Sequence, residues 1–145
     1  MQTIKFKKLN EEVILPNYAH PEDAGMDIFS AEEKTIEAGK WALVKTGFSM
    51  ELPSGYEAQV RSKSGLSLKS GIIVLNSPGT IDENYRGEVG VILMNVSQVD
   101  YKIEKNQKIA QMVINKVEHL KVEEVEDLSS TARGAGGFGS TGLNK

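Results

Sequence analysis

Two apolar, β-branched runs, Ile72-Ile73-Val74-Leu75-Asn76 and Val89-Gly90-Val91-Ile92-Leu93-Met94-Asn95, flank the polar stretch from Gly79 to Glu88. Runs of this kind on either side of a Gly/Asp/Asn-containing connection specify an antiparallel hairpin. The connection carries a carboxylate (Asp82) and an aromatic (Tyr85), and the amide of Asn76 stands at its entry. Those are three different means of gripping a flat, polar ligand. An Asp in an isolated turn ordinarily bonds only its own backbone, so the weight given to Asp82 depends on the rest of the chain.

Much of that chain reads as strand. Tyr56, Ala58 and Val60 alternate with Glu57, Gln59 and Arg61, a period of two. Ile4 and Phe6 alternate with Lys5 and Lys7 and predict a short half-buried strand. The segment from Trp41 to Met50 predicts one strand, and Pro53-Ser54-Gly55 a turn. Ile109 to Ile114 is apolar except for Gln111, which predicts a strand buried on both faces whose amide must find partners. Leu15 to Pro21 holds two prolines and is loop, while Ile103 to Lys108 is a polar turn. Asp27 sits inside the apolar segment Ala24 to Ala31, where the simplest expectation is a strand-edge acid facing water. Ser62 to Gly71 fits the one short helix, with Ser64 as N-cap and Gly71 as its stop. The first amides of such a helix favour an anion, and Arg61 and Lys63 flank it. Short strands, four prolines in loops or turns and a single helix predict a mostly β domain, a sandwich or jelly roll.

The bulk numbers exclude several classes. A chain of 145 residues is one domain with room for a core. Its net charge of −3 leaves no electrostatic footprint for nucleic acid. With no cysteine and two distant histidines, His20 and His119, neither a disulfide framework nor a zinc site is expected. No apolar run approaches the ~20 residues of a membrane span, and the first residues lack a signal peptide's apolar core. A soluble, cytoplasmic protein with no membrane partner is expected.

The acids of Val122 to Asp127 close the body as a solvated face. Beyond them, five of the 14 glycines fall in the last 12 residues. Residues 1–128 are therefore expected to form the β-rich body and 129–145 a flexible arm. Arg133, Phe138, Gly139, Ser140 and Thr141 give that arm a cation, a ring, backbone freedom and hydroxyls, the parts of a flap that orders over a phosphate-bearing ligand.

Taken together, five segments resemble the trimeric dUTPase family in the family's order. They are Ala24-Gly25-Met26-Asp27-Ile28, Ser62-Lys63-Ser64-Gly65-Leu66, Gly79-Thr80-Ile81-Asp82-Glu83-Asn84-Tyr85-Arg86-Gly87, Lys108-Ile109-Ala110-Gln111, and Arg133 through Gly142. The resemblance implies a distorted jelly-roll or β-sandwich (a β-clip) in a homotrimer with inter-subunit sites. It implies Mg²⁺-assisted hydrolysis of dUTP to dUMP and pyrophosphate, which keeps uracil out of DNA and supplies dUMP for dTMP synthesis. Asp82 would activate the water that attacks the α-phosphorus, and Tyr85 would lie against the deoxyribose. Asn76 and the hairpin backbone at Gly79 and Ile81 would read the uracil edge. Lys63, Ser64, Gly65 and Gln111 would hold phosphates; Arg133, Gly139, Ser140 and Thr141 would close on them, with Phe138 over the base. Asp27 would hold a water of the Mg²⁺ shell.

One departure stands out. The family usually has Pro-Arg-Ser-Gly where this chain has Ser62-Lys63-Ser64-Gly65, and lysine meets phosphate as a point charge rather than a fork. Arg61 is the nearest guanidinium that could compensate. Two rival readings differ in kind: a dUTP-binding sensor, and a dCTP deaminase. The deaminase family needs a glutamate where this chain has Ile92.

Overall fold

The structure, a computed structural model, describes residues 2–144. The chain runs β1 (Lys5–Lys8), β2 (Met26–Phe29), β3 (Lys34–Ile36), β4 (Trp41–Lys45), β5 (Phe48–Glu51) and β6 (Tyr56–Arg61). It continues through α1 (Ser64–Ser70), β7 (Ile72–Val74), β8 (Gly79–Ile81), β9 (Gly90–Asn95), β10 (Tyr101–Ile103) and β11 (Lys108–Lys116). Every pairing is antiparallel. A four-stranded sheet, β2-β11-β6-β8, and a three-stranded one, β4-β9-β7, form the two main layers, with β1-β5 and β10-β3 as small flanking pairs. This is the expected jelly-roll-like β fold. Among the described residues, no helix is long and apolar enough to cross a membrane.

The period-two reading holds in β6, where Ala58 and Val60 are buried and their alternates are not. From the other layer, Val44, Ile72, Val74, Val91 and Leu93 join the same buried cluster as Met26, Ile28, Ala58, Val60 and Met112. Across β4-β9-β7 the register sets Trp41, Met94 and Ile73 in one row and Leu43 beside Ile92. Those side chains face away from the core, and Trp41 (62%) and Leu43 (53%) are exposed.

Several expectations change. The segment from Trp41 to Met50 is two strands in different sheets, because Gly47 turns the chain with φ +72°. The corner is tied on both sides: the Leu9 amide donates to the Gly47 carbonyl at 2.8 Å, and the Gly47 amide donates to Glu88 Oε1 at 3.0 Å. The hairpin arms do pair, Ile72 opposite Asn95 and Val74 opposite Leu93. Its connection, however, contains β8, which leaves the hairpin to pair with β6 in the other sheet. The short strands β3 and β10 were not foreseen. Ser64 is the first helical residue rather than the cap; Lys63 holds the cap position and bonds no helix amide with its side chain. Gly71 does end the helix in the left-handed region, φ 64°. β11 is the longest strand, with Ile109, Ala110 and Met112 buried but Val113 and Ile114 only half-buried. Residues 118–144 are exposed and carry no strand, so the acids of Val122 to Asp127 are solvated but do not pack on the body.

A methyl group at residue 47 would overlap Val13 Cγ2 and stand 3.2 Å from Ala31 Cβ, in a backbone conformation that side chains resist. Gly47→Ala is therefore expected to lower unfolding free energy by about 1–3 kcal/mol. Urea denaturation with an unchanged m-value checks this.

Candidate active site

The polar row begins with strand register. Gln111 of β11 lies directly opposite Asp27 of β2 on one side and Arg61 of β6 on the other. Directly opposed residues share a face, so the three side chains form one row across the sheet. Gly25 makes room for the Gln111 amide, since a Cβ there would stand 2.8 Å from Oε1. The amide donates from Nε2 to the Ser62 carbonyl at 3.0 Å, which ties β11 to the segment entering α1. Ser62 also accepts from the Val74 amide at 2.8 Å through its hydroxyl. A side chain at residue 65 would meet nothing within 4 Å, so the space over the first helical turn is open. Ser64 and Gly65 are both exposed there.

Asp27 is buried, at 7% exposure, not the water-facing acid that its segment suggested. Its amide donates to the Asn17 carbonyl at 2.8 Å, which covers the strand. One carboxylate oxygen accepts from the Lys63 ammonium and the other from Lys108 at 2.7 Å. Lys108 also lies over the Phe29 ring, 6.0 Å from its centre. Burial pushes the Asp27 carboxyl up, but the bonds and charges of Lys108 and Lys63 outweigh it and hold the group below its ordinary 3.8. Arg61 does not take Lys63's place in this arrangement; its guanidinium donates along its own strand to Gln59 Oε1 at 2.8 Å.

Asp82 follows β8 directly and is exposed. Among the described residues its carboxylate has no hydrogen-bond partner, although its carbonyl accepts from the Tyr85 amide at 3.1 Å to close a turn. The loop is anchored by its neighbours instead. Glu83 accepts from the Gly55 amide and from Ser54 Oγ at 3.3 Å, and Arg86 donates to the Glu83 carbonyl at 2.7 Å. The Tyr85 hydroxyl donates to the Glu88 carbonyl at 2.9 Å, laying the ring back along the loop. A cavity of about 210 Å³ is bounded by Asp82, Tyr85, Ile81 and Gly90. An adjoining one of about 260 Å³ is bounded by Asn76, Tyr85, Leu43, Lys45 and Ile92. Gly79, which is buried, and Ile81 line a smaller recess of about 60 Å³ behind them.

The hairpin group and the polar row lie apart. Ala58 opposes Ile81, so Asp82 stands level with Glu57, four residues along β6 from Arg61. At about 3.3 Å per residue and about 4.8 Å per strand, Asp82 lies roughly 20 Å from Asp27. None of the cavities described is lined by members of both groups. Arg133, Phe138, Gly139, Ser140 and Thr141 lie in the exposed arm, whose hydrogen bonds are local turns such as Arg133 Nε to the Gly136 carbonyl at 2.7 Å. Among the described residues no three His, Cys, Asp or Glu side chains gather as a metal cage.

Sequence reading assigned no role to Lys108, Lys45 or Glu88 and did not foresee the apolar wall of Leu43 and Ile92. For Lys108 the signal was proximity to Gln111, but a bulge at Ile109 is what turns both to the same face.

Fold and site define a β protein whose described residues present an unpartnered loop carboxylate beside an aromatic ring and, separately, a lysine-rich row at a helix start. The chain belongs to the dUTPase family, whose profile matches residues 11–142. It is 61% identical over 145 residues to the deoxyuridine 5'-triphosphate nucleotidohydrolase of Clostridium acetobutylicum, covering 100% of both chains. To the protein of that name from Clostridium tetani it is 56% identical, covering 97% of each. Among solved structures it resembles Staphylococcus bacteriophage 80alpha dUTPase with dUpNHpp, with TM-score 0.91, 30% identity, and coverage of 99% of this chain and 100% of that one. A mutant dUTPase from phage phi11 of S. aureus, described for its coordination of a structural Mg(II) ion, is similar at TM-score 0.81 and 28% identity, over 88% of this chain and 99% of that one.

The Asp27 pairing makes stability depend on pH. A carboxyl whose pKa is lowered by folding contributes stability above its unfolded pKa, here near 3.8, and loses it as pH falls through the lower folded value. Wild type is therefore expected to exceed Asp27→Asn in unfolding free energy at pH 7, with the gap closing below pH 3.8. Denaturant titrations at both pH values check it.

Proposed function

We propose that this chain hydrolyses dUTP to dUMP and pyrophosphate, with Asp82 activating the attacking water. The observation that carries the reading is the free Asp82 carboxylate on the rim of a groove shared by Tyr85 and Asn76. A general base must lie within hydrogen-bond reach, direct or through one water, of the proton it takes, and a carboxylate without an internal partner keeps its lone pairs for that water. In this reading the groove takes the base and sugar: Asn76 and the backbone at Gly79 and Ile81 meet the uracil edge, and Tyr85 forms the wall at the 2′ carbon. Ile92 lines the same groove with an apolar side chain where a deaminase would need a glutamate, which favours hydrolysis.

The roughly 20 Å between Asp82 and Asp27 is too far for one triphosphate to engage both through the same chain. We infer a site built from two copies. One supplies the hairpin; the next supplies Lys63, Ser64, Gly65 and Gln111 for the phosphates. The outward face of β4-β9-β7, with Trp41, Leu43, Ile73, Ile92 and Met94, adjoins the groove and supports such an association, a homotrimer in our reading. Asp27 suits an outer-shell place near the phosphates, because each of its oxygens takes one ammonium and keeps lone-pair capacity for a water. Mg²⁺ carried on the triphosphate would supply charge neutralisation there. A cytoplasmic setting is consistent with the absence of cysteine.

Asp82→Asn is expected to bind a non-hydrolysable dUTP analogue normally while turnover falls at least ~10²-fold. Near-normal turnover would remove Asp82 from the role, and normal analogue binding with no pyrophosphate release from wild type would favour the sensor. Mixing Asp82→Asn with Gln111→Ala/Ser64→Ala after joint refolding should restore roughly a quarter of wild-type turnover, since each mixed trimer regains one intact site. No restoration would place the site within one chain.

The arm from residue 129 to 145 is proposed as the cover. Its glycines and exposed Phe138 give it no core of its own, so a ligand must supply its order. Truncation after Thr131 is expected to leave the melting curve of the body unchanged and to lower turnover at least ~tenfold. Full activity in the truncated chain would end this assignment.

A further inference from the structure

Gly87 lies beneath the Tyr85 ring, two residues further along the loop. A Cβ at this position would overlap Tyr85 Oη and stand 2.6 Å from Cζ and 3.0 Å from Cε2. Nothing else among the nearest atoms opposes it. Gly87 is not one of the glycines with positive φ, so its backbone is one that any residue adopts. Conformation does not demand glycine here. The ring does.

The ring is held in that place by a single polar bond, from its hydroxyl to the Glu88 carbonyl. The residue is 45% exposed. A methyl group under the ring would therefore break the hydroxyl's bond and let the side chain swing outward at little cost to the fold, because the atoms in conflict are the far end of a side chain. We propose that Gly87 is a positioning residue for sugar selection: it is the seat that lets Tyr85 lie flat enough to wall off the 2′ carbon. The inference rests on the reading of Tyr85 as that wall. Rejection of an added hydroxyl depends on steric fit, since an apolar surface alone discriminates weakly against it. A ring displaced by the width of a methyl group no longer excludes it.

The test compares kcat/KM for dUTP and UTP in wild type, Gly87→Ala, Tyr85→Ala and the double variant. Gly87→Ala is expected to melt near wild type yet lower the dUTP:UTP ratio at least ~tenfold. In the Tyr85→Ala background the same substitution should leave the ratio unchanged, because no ring remains to displace. Tyr85→Phe, which removes the hydroxyl without touching Gly87, should lower the ratio by a smaller factor, and this holds the test open should Gly87→Ala unfold. A wild-type ratio in Gly87→Ala or Tyr85→Phe alongside a lowered one in Tyr85→Ala overturns the proposal. So does an equal loss on adding Gly87→Ala to Tyr85→Ala, since the effect would then bypass the ring. A ratio unmoved by Tyr85→Ala sinks the sugar-wall reading itself.

Discussion

The pairing of β11 with β2 on one edge and β6 on the other is the constraint on which the rest depends. It places Asp27, Gln111 and Arg61 in a single row while burying Ile28, Ala110, Met112 and Val60 on the opposite face. Apolar burial drives the arrangement at about 25 cal/mol per Å² of surface removed from water. The polar row takes its alignment from that burial. β6 then carries β8 on its far edge, and through it the loop with Asp82. One sheet thus holds both groups of the candidate site and also keeps them apart.

Charge is concentrated where the sheet ends. Two ammonium groups around one buried carboxylate leave a net positive cluster beside the open first turn of α1. Lysine rather than arginine at residue 63 gives Asp27 a compact point charge instead of a planar guanidinium fork. The exposed pairs elsewhere, such as Lys5 with Glu51, are screened by solvent and contribute little.

The features legible in the sequence were those written in local rules. Alternation from Tyr56 to Arg61, the stop at Gly71 and the paired arms around Asp82 all follow from side-chain period or turn chemistry. What escaped was set by tertiary contacts. Three-residue strands such as β3 and β8 are too short to show a period, and they exist because a partner strand is present. Asp27 reads as a surface acid because its two counter-ions come from distant segments, one of them turned toward it by a bulge. The split at Gly47 was visible as a glycine but not as a change of sheet. The candidate site was recognisable piece by piece from its motifs; the distance between the pieces was not, since it is a property of sheet register.

Trp41 is the chain's single tryptophan, and it stands on the solvent-facing side of β4 beside Met94. Its indole thus reports on one surface only, with no second emitter in the core to mask it. In the separate chain it meets water and emits in the red part of the indole range. A second copy covering that sheet face would place the ring in an apolar setting and move its emission to shorter wavelength. Any covering of that face would thus change the protein's own colour, readable without a label and distinct from the Tyr85 ring that borders the groove.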